Sequence, residues 1–223
     1  MTRYFGKSLH KFHHPQPKRP QNSSHDWTIP AYGSKFQYTQ TKLDLLSLEP
    51  SGTQQVQSIA GTLLYYSRAV RHTMIPALNN IYTQQSKPTA NTINKCNRLL
   101  DYASAYPNNP IRYHASDMIL HVDTDVAYLV LTKSRSLIAI HLYLRNLPPT
   151  NDTPKPKLNS PIITICQTLK NVVASSAEAE TEGIFLNGQS MLPIQHTLVT
   201  MDHLQPENGN PLKSDRKTGI GIT

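Results

Sequence analysis

Apolar residues recur at Val56, Ile59, Ala60, Leu63 and Leu64, the i, i+3, i+4, i+7, i+8 spacing of one helical face. That period predicts an amphipathic helix opening at Ser51-Gly52, with Arg68 and Arg71 near the end where the helix dipole favours cations. A second helix is predicted from about Thr73 to Gln85, with Pro76 in its first turn, where proline is tolerated, and Lys87-Pro88 as its stop. A third starts near Thr89 and turns Ile93, Cys96, Leu99, Leu100 and Ala103 inward until Pro107 and Pro110 end it. The three stripes predict a small helical bundle over residues 51–110.

From Ile111 the period shortens to two. Ile111 to Ala115 reads as a short strand and Met118 to Asp125 as a longer one. Ile119, His121, Asp123 and Asp125 then share one face, and Met118, Leu120, Val122 and Thr124 the other. Two further strands are predicted over Ala127 to Leu131 and Ser136 to Arg145, with the turn at Lys133 to Ser136. A proline-rich loop follows, then a strand from Pro161 to Thr168. A helix comes next, expected to break at Pro193 and restart to about His203, and a last strand over Leu212 to Ile222 contains Asp215. Antiparallel strands, a helix and one more strand make an α+β pattern.

Residues 1–50 read as a basic, proline-rich arm. Lys7, Lys11, Lys18 and Arg19 alternate with histidines and with Pro15, Pro17 and Pro20, and the prolines exclude a helix past about Phe12. Trp27, Tyr32, Phe36 and Tyr38 are its candidate anchors. The charge is uneven: the chain carries +8 overall, yet residues 1–115 hold 13 Lys and Arg against 4 acids, and residues 116–223 hold 9 against 10. A basic half beside an acidic one suits a protein that grips phosphates, and equally a merely soluble basic domain. Cys96 and Cys166 form neither a zinc spacing nor a redox pair. No run reaches the roughly 18 apolar residues of a membrane span, and no signal peptide is evident. The expectation is an intracellular chain, cytoplasmic or nuclear, with no membrane partner.

Carboxylates crowd only between Ser175 and Phe185. Ser175-x-x-Glu178 is a capping box, Glu178 and Glu182 share a face, and Glu180 lies roughly opposite. Alone, the segment is a well-capped surface helix. Set beside Asp123-Thr124-Asp125 and Asp215, it offers acids from a strand, a helix and a second strand, which could converge on a divalent metal.

Several segments resemble the copia-type retrotransposon polyprotein. Gln57 to Tyr66 is similar to the "VGSLLYLA" helices that connect reverse transcriptase to RNase H in that family. Leu120 to Leu129 resembles its "SDASYL" strand, Lys133 to Ser136 its "KARS" turn, Ala174 to Glu180 its "SSTEAE" helix start, and Pro211 to Asp215 with Gly219 to Ile222 its "TDN…A" strand. The resemblance covers residues 50–223. It implies a helical connection segment over 51–110, then an RNase H-like mixed sheet with flanking helices over 111–223, its first three strands antiparallel. The implied reaction is cleavage of RNA in RNA–DNA hybrids by two-metal hydrolysis, with Mg²⁺ held by Asp125, Glu180 and Asp215 as the catalytic set. Asp123 stands in for Asp125 if the register slips by two. The implied partners are a hybrid or other nucleic acid and the polymerase portion of the same polyprotein.

Departures from the pattern shape the expectation. Thr181 replaces an aromatic or aliphatic residue after Glu180, and Arg216 replaces an asparagine after Asp215. The family's fourth acid and catalytic-loop histidine have no counterpart, so a C-terminally truncated domain with weak or no activity is expected. No Tyr-x-Asp-Asp is present, so the chain does not synthesise DNA. The alternatives are a non-catalytic nucleic-acid-binding remnant and an unrelated α+β interaction module.

Overall fold

The computed structural model describes residues 2–26, 46–105, 107, 110–131, 135–147, 159–207 and 209–214. The chain divides between Pro110 and Ile111 into two units, each with its own core.

The first unit contains α1 (Thr2–Lys11), α2 (Pro50–Ala69), a 3-10 turn (His72–Met74), α3 (Ile75–Gln84) and α4 (Ala90–Ala105). The stripe read from the sequence is its core. Val56, Ile59, Ala60 and Leu63 of α2 meet Leu78 and Ile81 of α3 and Cys96, Leu99, Leu100 and Ala103 of α4. Proline takes the start of α2 and of α3, where its missing N–H costs no helical bond.

The arm predicted over residues 1–50 needs correction at its beginning. Residues 2–11 are helical, and Phe5 is buried in the bundle with its ring 5.5 Å from that of Tyr66. Tyr4 Oη donates to the Thr62 carbonyl at 3.1 Å, and His14 Nε2 lies 2.7 Å from Asp101 Oδ1. Phe5, Leu9 and Phe12 form a helical stripe of their own, ahead of the prolines that dominate the composition. The anchors Trp27, Tyr32, Phe36 and Tyr38 lie outside the described residues.

The second unit is α+β. Its four-stranded mixed sheet has the order β3-β2-β1-β4, with β1 at Ile119–Leu131, β2 at Arg135–Arg145, β3 at Ile163–Thr168 and β4 at Leu212–Lys213. β1 and β3 run antiparallel to β2, and β4 runs parallel to β1, placing Lys213 beside Asp123. The helix α5 (Ser176–Thr200) supplies the crossover and covers one face. There Leu120, Val122, Ile138, Ile140 and Leu142 pack with Ala179, Met191 and Leu198. Asn210 fastens the return to β1: its Nδ2 donates to the Leu120 carbonyl at 2.9 Å and to Gln205 Oε1 at 2.7 Å.

Three predicted elements differ. Ile111 to Ala115 is not a strand; it runs alongside the approach to β3 with one backbone bond, Ser160 N–H to the Arg112 carbonyl at 3.1 Å. The two strands expected at Met118 to Asp125 and Ala127 to Leu131 are a single β1 with a register shift after Ala127. Leu129 takes φ 53° there, and its N–H donates to Ser136 Oγ at 3.1 Å. The expected break at Pro193 is absent, and α5 continues through it. Proline removes one backbone bond, while Met191, Ile194 and Leu198 hold the segment on the sheet. The last strand is two residues long as described; Asp215 and the rest of the predicted strand lie outside the described residues. Among the described residues, no helix is long and apolar enough to cross a membrane.

Candidate carboxylate site

The start of α5 sorts its three acids. Ser175 Oγ accepts from the Glu178 N–H at 3.1 Å, and Glu178 Oε2 accepts from the Ala174 N–H at 2.8 Å, a reciprocal cap. Glu182 Oε1 accepts from Asn171 Nδ2 at 3.1 Å. Both acids therefore serve the loop that enters the helix. Glu180 is half-buried beside the fully buried Ala179, on the side of α5 that meets β1.

On β1, alternation puts Leu120, Val122, Thr124 and Val126 toward α5, and His121, Asp123 and Asp125 on the opposite face. β4 pairs only with Val122 and Asp123, so among the described residues the edge of β1 is open from Thr124 onward. A cleft forms at that opening. Thr124, Asp125 and Val126 line it from β1, Glu180 from α5, and Ser214 from the residue after β4. Asp125 and Glu180 both border this small pocket, but they approach it from different sides, since the Asp125 side chain is exposed on the face of β1 away from α5. Asp215 lies outside the described residues, although the neighbouring Ser214 lines the cleft.

A second, more open depression of about 280 Å³ is lined by Asp123, Asp125, His141 and Lys213. Asp123 is engaged there: Tyr143 Oη donates to its Oδ1 at 3.2 Å. Burial and the Asp123 charge hold the Tyr143 phenol above its usual range. The Tyr143 ring stacks on His121 at 5.6 Å, and His121 Nε2 lies 3.1 Å from the Asn146 carbonyl. A carbonyl only accepts, so Nε2 carries the proton. Burial, helped by Arg145, pushes the His121 pKa down to about 4. His121 is therefore neutral at pH 7, and its ring is a wall of the polar face.

Carboxylates and hydroxyls are the donors a hard cation such as Mg²⁺ takes while retaining water, but the space that Thr124, Asp125, Glu180 and Ser214 enclose is too small for a water molecule, so the pocket as it stands does not fit a hydrated cation. Among the described residues, no group of three or more His, Cys, Asp or Glu side chains is gathered to hold a metal ion. Compared with family models, curated proteins and solved structures, the chain has no match.

Sequence reasoning did not single out Tyr143 or Thr124. Tyr143 joins Asp123 only through the β1–β2 register, which aligns His121 with Tyr143 and Asp123 with His141. Thr124 had a visible signal: it is the one polar residue among Leu120, Val122 and Val126 on the α5 side of β1.

Proposed function

We propose that the chain is a copia-type connection and RNase H segment, descended from an enzyme that hydrolyses the RNA strand of RNA–DNA hybrids. One observation carries this reading: Asp125 of β1 and Glu180 in the first turns of α5 line a single cleft at the point where the chain leaves β4 toward Asp215. The strand order adds support, since three antiparallel strands are followed by a helix and a strand parallel to the first. In this reading Asp125 and Glu180, with Asp215, descend from a set that holds Mg²⁺, and the pocket must open to admit a hydrated cation. Glu178 and Glu182 hold the helix start so that Glu180 faces β1. The excess Lys and Arg of residues 1–115 attract the hybrid backbone.

A second reading, a nucleic-acid-binding remnant without catalysis, is favoured by that same basic half and by the sequence Asp215-Arg216, which sets a cation next along the chain to an expected metal ligand. One assay separates the two. The purified chain is incubated with a hybrid carrying labelled RNA, with Mg²⁺ and at two salt concentrations, beside Glu180→Gln. Weak RNA cleavage that falls to background in Glu180→Gln is the expected outcome. Salt-sensitive hybrid binding without cleavage leaves the remnant. Neither cleavage nor salt-sensitive binding removes both and leaves an α+β interaction module.

A further inference from the structure

β3 is the outermost strand of the sheet, and among the described residues one of its edges has no strand beside it. The ladder shows which groups that edge presents. The Leu169 N–H donates to the Ser136 carbonyl at 2.9 Å, and β3 keeps one register against β2, from Leu142 with Ile163 to Leu137 with Thr168. Alternation then turns the backbone groups of Ile163, Ile165 and Gln167 toward β2, and those of Thr164, Cys166 and Thr168 outward. Among the described residues, no backbone group bonds these three on the outer side. Residues 112–114 bond only to Asn159, Ser160 and Pro161, ahead of the strand. At the edge itself Ile163 is 40% exposed, and Gln167 is exposed. Natural edge strands are blunted by a charge, a proline or a bulge. β3 carries no charge and no proline, and its register has no bulge.

The outward residues read the same in both directions from Cys166, with Thr164 on one side and Thr168 on the other. A two-fold axis through Cys166 therefore sets Cys166 opposite Cys166, and Thr164 opposite Thr168. Residues with outward groups then meet each other, and each pair exchanges both of its N–H···O bonds. A charged strand pairs poorly with itself, because its own charge returns opposite it; β3 has no such charge. We propose that this edge of β3 is an interface for a second copy of the chain, the two strands pairing antiparallel about Cys166 and joining two sheets into one. The axis stands perpendicular to the sheet, so both α5 helices lie on the same face. The contact is a single short strand, which places it in the weak, concentration-dependent class. The inference is independent of the carboxylate site.

The test uses the full chain. In sedimentation velocity over a concentration series, wild type should shift from monomer toward dimer as concentration rises. Amide hydrogen exchange, read by NMR over the same series, should slow at Thr164, Cys166 and Thr168. It should not change at Ile165 and Gln167, which already bond to β2. The Cys166 side chain is half-buried on the sheet face away from α5, where a long charged side chain can reach water. Cys166→Lys and Cys166→Glu should each stay monomeric at concentrations where wild type dimerises, because the axis sets like charge against like. Mixed in equal amounts, the two variants should dimerise again.

Wild type that stays monomeric at every concentration overturns the proposal. Dimerisation without slowed exchange at those three amides overturns it too, by placing the contact on another surface. A single charged variant that dimerises as wild type does overturns the pairing about Cys166. So does a mixture that stays monomeric while circular dichroism shows both variants folded. If neither variant folds, the wild-type exchange pattern decides by itself: slowing at the three alternate residues supports the edge pairing, and slowing elsewhere overturns it.

Discussion

Gly183 of α5 lies against Val126 of β1 so closely that a β-carbon at 183 would stand 2.8 Å from Val126 Cγ2, and 3.2 Å from Ile138 Cδ1. Glycine here permits the close approach of helix to sheet. Gly183→Ala should therefore destabilise the unit by about 1–3 kcal/mol, an overpacking cost that outweighs the better helix propensity of alanine. Urea unfolding measures it. Adding Val126→Ala should recover part of the loss. Strictly additive losses in the double variant would show that the two residues do not meet as described.

His121 makes stability depend on pH. Burial first, then Arg145, lowers its pKa from 6.5 to about 4 in the folded chain. The unfolded chain takes up this proton first as pH falls. The contribution is therefore full above about pH 6.5, is lost as pH falls toward 4, and is flat below that. The loss amounts to roughly 2–3 kcal/mol. Urea unfolding at pH 7 and pH 4.5 should show a smaller difference in His121→Phe than in wild type, since phenylalanine keeps an aromatic face toward Tyr143 and binds no proton. Equal differences in the two proteins would place the acid sensitivity elsewhere.

The helical unit and the alternation of β1 were legible because apolar period alone determines them. Val56 to Leu64 and Leu120 to Val126 each repeat at the spacing of the structure they form. The cap at Ser175 and Glu178 was legible for a related reason, since all its partners lie within five residues. What was missed depends on distant parts of the chain. Pro193 predicts a break, yet packing on the sheet outweighs one lost backbone bond. Phe5 is buried by α2 and its neighbours, which lie beyond the proline-rich stretch that suggested an arm. At the site, Asp125 and Glu180 were named from the resemblance; both border one small pocket, while Asp215 lies outside the described residues. The Tyr143 bond to Asp123 joins residues 20 apart and was invisible until the register was known.

Tyr143 should be among the last tyrosines to ionise. Its phenol is held up first by burial and then by the charge of Asp123, to which it donates. With the folded pKa above the unfolded one, its contribution is full below about pH 10 and is lost as pH rises through the folded value. Absorbance titration at alkaline pH should show a late component that disappears in Tyr143→Phe. The variant should also lose about 1–2 kcal/mol at pH 7, where the bond to a charged acceptor is intact. An unchanged titration curve would mean that Tyr143 is open to solvent and does not hold Asp123.

Asn187 is fully buried in α5, and neither its Nδ2 nor its Oδ1 has a hydrogen-bond partner among the described residues. It stands one turn from Gly183 and one from Met191, on the face that packs against the sheet. A buried amide in that state costs free energy that an apolar group of the same shape does not. Leucine has the same branching and a better helix propensity. Asn187→Leu should therefore stabilise the chain by about 1–3 kcal/mol, seen as a higher urea midpoint with an unchanged slope. A lower midpoint would instead reveal a buried water or a chain segment that satisfies the amide. Asn187 would then be a structural polar contact, and replacing it would leave that partner unpaired.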